Sequence, residues 1–212
     1  MPSPNNPGEI PTFSILSTFY PDTTHSVLWH RTDNAKGTQQ YFYRSYVRQG
    51  INKYSNVFPS AYYFTEIDTV TKVATERVYM IQDSLVIEYS KRNIDSNANE
   101  IVRLHGLLEK GQSFSAATDF VTANGATVTI DAAVDDYFGA TSVAGTEYND
   151  VYHVTYTVNT VSSTTQPIEL EYQKGATLGV YYAKTIGPVY KVAKSPTGDI
   201  LWSEEVIETR SR

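Results

Sequence analysis

Between Val151 and Val158 the chain alternates without a break: Tyr152, Val154, Tyr156 and Val158 project one way, His153, Thr155 and Thr157 the other. A period of two marks a β-strand with one buried face, because successive side chains leave a pleated backbone on opposite sides. Related runs recur at Tyr41–Val47, Ala61–Ile67, Ile101–Leu107, Thr127–Ala132, Ile168–Tyr172, Val180–Lys184, Val189–Ala193 and Ile200–Ile207, all rich in β-branched and aromatic residues. Glu76–Gln82 and Leu85–Ser90 flank Asp83-Ser84, the spacing of a tight antiparallel hairpin. Reversals are expected at Asn34–Gly37, Asn93–Asn99, Ala123–Gly125, Gln173–Gly175 and Ser195–Asp199, where Gly, Asn, Asp and Pro gather. The one stretch whose spacing suggests a short helical turn is Ser115–Val121. The connections are too short for crossover helices. The expected fold is therefore all-β, an antiparallel meander forming a strongly curved sheet, a sandwich or a half-barrel, with little or no helix.

Seventeen tyrosines against eight phenylalanines and two tryptophans suit half-wet pleated surfaces, where a ring packs and its hydroxyl reaches water. A length of 212 residues is enough for a sizeable core in one domain, expected over residues 13–212, with a subdivision near 105–112 as the alternative. The net charge of −6, with 17 Lys and Arg dispersed singly, leaves no basic stripe for nucleic acid and no polybasic membrane patch. Zero cysteines exclude disulfides, cysteine nucleophiles and thiolate metal sites.

Residues 1–12 begin Met1-Pro2-Ser3-Pro4-Asn5-Asn6-Pro7-Gly8, a stretch unsuited to a helix or a central strand. It is expected to be a flexible tether. Such a segment suits the residues after a lipidated cysteine, in whose place Met1 would stand, with the signal peptide and lipobox cysteine removed.

Three segments carry a resemblance: Leu107–Phe114, Ala144–Val154 and Tyr181–Val189, the last reading Tyr-Tyr-Ala-Lys-Thr-Ile-Gly-Pro-Val. In kind and in order they resemble motifs of a loose group of bacterial cell-envelope lipoproteins of unknown activity, over about 85 residues from Leu107 to Val192. Two positions depart from that pattern: Thr185 stands where the group usually has glycine, and Phe114 where it often has tryptophan. The resemblance implies an exported, lipid-anchored, β-rich protein and brings no catalytic residues with it.

The residues themselves offer weak sites. Trp29, Tyr41, Tyr43 and Tyr46 form the most attractive candidate for ligand binding, since rings that were coplanar and exposed would stack on a sugar or flank a peptide. Asp131, Asp135 and Asp136 are the candidates for calcium, although the sequence lacks the D-x-[DN]-x-[DN]-G loop. His25, His30, His105 and His153 show no metal-site spacing, and His153 is expected on a solvated face. No nucleophile elbow or phosphate loop occurs, and no cofactor or catalytic residue is expected. The leading expectation is a non-enzymatic binding or structural accessory domain of the bacterial envelope, meeting a glycan or an envelope protein and touching membrane only through a lipid anchor. Two alternatives remain: a carbohydrate-active hydrolase with carboxylates from distant strands, and a self-assembling structural subunit.

Overall fold

The computed structural model describes Phe19 and residues 25–45, 48–49, 62–82, 85–89, 100–105, 109–162 and 167–211. The alternating runs fold as strands: β1 (His25–Asp33), β2 (Thr38–Arg44), β3 (Arg48–Gln49), β4 (Tyr62–Asp68), β5 (Ala74–Gln82), β6 (Leu85–Tyr89), β7 (Glu100–His105), β8 (Ser113–Val121), β9 (Thr127–Val143), β10 (Thr146–Val161), β11 (Thr177–Ala183), β12 (Gly187–Lys194) and β13 (Ile200–Ser211). All pair antiparallel in one sheet, ordered β7-β6-β5-β4-β2-β1-β13-β12-β11-β10-β9-β8, with β3 beside β4. The path is a meander with one jump. It starts mid-sheet at β1, runs outward to β7, crosses to β8 at the far end, and returns until β13 pairs with β1.

The two ends of that order meet. His105 of β7 stacks on Phe114 of β8 with centroids 5.8 Å apart, and Leu104 shares a core with Ala116, Ala117 and Phe120. The sheet thus curls into a nearly closed barrel, sealed along the β7–β8 seam by side chains. The larger core fills one part of the interior with Tyr79, Val86, Leu104, Val128, Val134, Val154 and Tyr182. A second cluster gathers Val27, Trp29, Val151, Val189 and Val206. Each Val or Leu removed from water in this way contributes about 1.5–3 kcal/mol. Tyr152, Val154, Tyr156 and Val158 all pack in or against the larger core, as their alternation predicts.

Two local expectations are corrected. Ser115–Val121 lies in strand β8, whose register shifts between Ser115 and Ala117 and again between Ala117 and Phe120. Those bulges bury Ala116, Ala117 and Phe120, a spacing that looks helical in one dimension. Ile168–Tyr172 forms no strand; Leu170–Tyr172 is a 3₁₀ turn, in which local bonds such as Tyr172 N–H to the Glu169 carbonyl (2.9 Å) replace a ladder. The tether at 1–12, Asp83-Ser84 and the reversal at Asn93–Asn99 lie outside the described residues.

Candidate functional site

A barrel strand points every second residue inward, and these strands spend inward positions on charge. Arg31 follows Trp29 by two on β1, Arg44 follows Phe42 on β2, Glu66 follows Phe64 on β4, and Arg77 precedes Tyr79 on β5. Glu88 follows Val86 on β6, Arg103 follows Ile101 on β7, Lys191 precedes Ala193 on β12, and Glu204 follows Trp202 on β13. All eight charges line one cavity of about 240 Å³, together with Trp29, Trp202, Tyr182 and, from the 3₁₀ turn, Glu171 and Tyr172. Only a curled sheet lets nine strands face a single space. Arg103 reaches it through a bulge: Val86 pairs with Leu104 and Ile87 with Val102, so Arg103 is the extra residue and turns inward beside Leu104.

Read around the sheet from β7 to β12, the charges run Arg103, Glu88, Arg77, Glu66, Arg44, Arg31, Glu204, Lys191. Sign alternates strand by strand except between Arg44 and Arg31. Neighbours pair accordingly. Arg103 Nε donates to Glu88 (2.8 Å), Arg77 Nε to Glu66 (2.9 Å), and Arg31 Nη1 and Lys191 Nζ share Glu204 at 2.9 and 3.0 Å. Trp202 Nε1–H is given to Glu171. Arg31 also lies over the Trp202 ring at 4.3 Å, and Lys191 Nζ over Trp29 at 4.9 Å.

Glu88 and Glu204 stay ionised. Burial alone would raise the Glu88 pKa, but Arg103, Arg77 and Lys191 reverse that and bring it down to about 2. Glu204, its side chain 8% exposed, behaves alike: burial opposes charge, and Lys191 and Arg31 win, so its pKa falls. Burial lifts the Tyr182 hydroxyl to about 12, so it remains protonated and hydrogen-bonded to the Tyr156 hydroxyl at 2.8 Å.

Two donors in the wall are unspent. Arg44, 3% exposed, gives Nη2 to the Ile186 carbonyl (2.9 Å) and rests over the Phe64 ring, yet its Nε–H has no acceptor among the described residues. Trp29, 1% exposed, likewise has no acceptor for its Nε1–H among the described residues. More than nine in ten buried polar groups are satisfied in folded proteins, so two orphans in one cavity wall call for an explanation.

The sequence-selected rings do not share a platform. Trp29 pairs with Phe42, whereas Tyr41 and Tyr43 oppose His30 and Leu28 and take the other face of the sheet. Trp29 is buried in the cavity wall; Tyr41 is exposed and stacks on His30 at 4.7 Å; Tyr43 is half-buried with its hydroxyl given to Ser26. Tyr46 lies outside the described residues. Of the acidic candidates, Asp131 accepts from Asn159, Asp135 from Thr155 Oγ1 (2.6 Å) and Asp136 from Lys110 Nζ (2.9 Å). Among the described residues no three His, Cys, Asp or Glu side chains are grouped to hold a metal ion. His153 is half-buried rather than freely solvated, stacked on Tyr181 at 4.2 Å with Nδ1 3.1 Å from Asp135.

Sequence reasoning missed the charged interior. Its signal was present as a lone charge at the apolar parity of strand after strand, with signs that balance only once the strand order is known.

No protein-family model and no curated protein matches the sequence. Solved structures do match in shape. The chain is similar to a protein inferred to be exported, with a YmcC-like fold, from Bacteroides fragilis NCTC 9343: TM-score 0.55, 12% identity, covering 91% of this chain and 99% of that one. It is also similar to a protein inferred to be a lipoprotein from Parabacteroides distasonis ATCC 8503, at TM-score 0.49 and 13% identity over 96% of this chain and 100% of that one. At such identity the first likeness establishes one thing: the chain has the fold of the B. fragilis protein.

Proposed function

We propose that this chain is an exported accessory protein of the bacterial envelope that binds a small polar ligand inside its barrel, without transforming it. The observation that carries the reading is the interior cavity of about 240 Å³, walled by paired charges and aromatic rings. At roughly 30 Å³ per water, that space equals about eight waters, room for a molecule of monosaccharide size. A core built only for stability would be better served by apolar side chains, because buried ion pairs seldom outperform well-packed hydrophobic replacements. Eight strands that retain charges there are consistent with a site kept for binding. Export is supported by the fold neighbour from B. fragilis, which is inferred to be exported, and by the lipoprotein-like motifs between Leu107 and Val192.

A hydrolase reading has one observation in its favour, the carboxylates Glu66, Glu88, Glu171 and Glu204 around one space. Glycoside hydrolysis needs a carboxylic acid held protonated near neutral pH. Glu88 and Glu204 are driven the other way.

Both tryptophans line the cavity, so intrinsic fluorescence reads its occupancy. The test is a fluorescence titration with a panel of monosaccharides, sugar acids and short oligosaccharides, with products followed by chromatography. Saturable quenching or enhancement with the ligand recovered intact supports binding. A cleaved ligand would turn the assignment to the hydrolase, and no response across the panel would leave the cavity a structural one.

A further inference from the structure

We propose that the interior site is specific for a small monocarboxylate bearing hydroxyls, a sugar acid, and that Arg44 with Trp29 grips its carboxylate. This deepens the binding function and rests on that reading. Alternation of sign around the sheet fails at one place, between β2 and β1, where the cation Arg44 is followed by the cation Arg31; on its other side Arg44 stands opposite Glu66, whose carboxylate is taken by Arg77. Arg31, Arg77, Arg103 and Lys191 each have a carboxylate within 3.0 Å. Arg44 alone among the cavity cations pairs with none of the described carboxylates. The wall therefore holds one positive charge that no carboxylate among the described residues pairs. Leaving a nearly buried guanidinium so is costly unless something brings the missing charge.

The missing groups are also of one kind. Both unspent buried atoms in the wall, Arg44 Nε and Trp29 Nε1, are donors. A ligand that completes this wall must present acceptors and one negative charge, which is the description of a carboxylate. A phosphate monoester would bring nearly two charges at neutral pH to a surplus of one. The rest of the wall offers the carboxylates of Glu88 and Glu204 and the Tyr182 hydroxyl as partners for ligand hydroxyls, and the Trp202 ring as an apolar surface.

The experiment is isothermal titration of the protein with glucuronate and galacturonate, with glucose as the neutral isostere and glucose 6-phosphate as the dianion. Charge-assisted hydrogen bonds predict a preference of at least about tenfold for a uronate over glucose. Arg44→Gln should lose at least about tenfold of uronate affinity, a larger loss than the same substitution causes for glucose. Because Arg44 is buried, Trp29→Phe provides a second variant that keeps an aromatic ring and removes the N–H together with part of the indole; it should weaken uronate several-fold and glucose less. Equal affinity for glucose and uronate, or uronate binding indifferent to both substitutions, would overturn the carboxylate assignment while the interior site survived. Tighter binding of glucose 6-phosphate would overturn it too. Failure of every sugar to bind would remove the binding function along with it.

Discussion

Two residues carry unusual local costs, and each leads to a measurement. Thr185 sits at φ 67° in the turn before β12, two residues ahead of Gly187 at φ 85°. A β-branched side chain in the left-handed region costs roughly 1–2 kcal/mol, part of which glycine would return as lost entropy in the unfolded chain. Thr185→Gly is expected to stabilise the fold by about 1 kcal/mol, read as a higher urea midpoint at unchanged slope. Glu88 carries the electrostatic counterpart. Its carboxyl ordinarily titrates near 4.5 and is held at about 2 in the fold, so its pairing contributes stability above 4.5 that drains away as pH falls toward 2. Glu88→Gln leaves Arg103 without that partner and should cost about 3 kcal/mol near neutral pH. The deficit relative to wild type should shrink below pH 4.5 and close near pH 2, as wild-type Glu88 becomes protonated. A deficit that stays constant through acid would show that the pair contributes by packing.

At the scale of strands, the seam between β7 and β8 decides whether the curled sheet holds. Leu104 is fully buried there, against residues of both halves. Leu104→Ala should cost 2–5 kcal/mol, at the range found for leucine truncation in tight cores, with circular dichroism of the folded state unchanged. Most strands were legible because one-sided burial imprints a period of two, as in β10, where Tyr152, Val154, Tyr156 and Val158 meet the core. Strand β8 was hidden because its two register shifts put Ala116, Ala117 and Phe120 on one side, and the segment at Ile168 was misleading because composition cannot tell a short strand from a 3₁₀ turn. The site was less legible still. Arg31, Glu66, Arg77 and Glu88 look like ordinary surface charges until strand order sets opposite signs side by side. Pairing with Phe42 turns Trp29 inward while Tyr41 and Tyr43 face away, a division that needs the strand register and not the ring content alone.

For the whole molecule, closure and charge are linked. A flat sheet would leave Arg103 of β7 and Lys191 of β12 far apart at separate strands, each cheaply solvated. Curling brings β1, β2, β4 to β7 and β11 to β13 around one space and forces the charges to compensate one another. They do so strand by strand until β2, where Arg44 is left over. The measurement that tests this most directly is an indole ¹H–¹⁵N spectrum, since the chain has two tryptophans and both line the cavity. Trp202 already gives its N–H to Glu171, whereas that of Trp29 is unspent. Saturating galacturonate should move the Trp29 indole resonance strongly downfield as its N–H gains an acceptor, and the Trp202 resonance less. Two resonances that stay in place while galacturonate binds would put the ligand elsewhere on the protein and contradict an interior site.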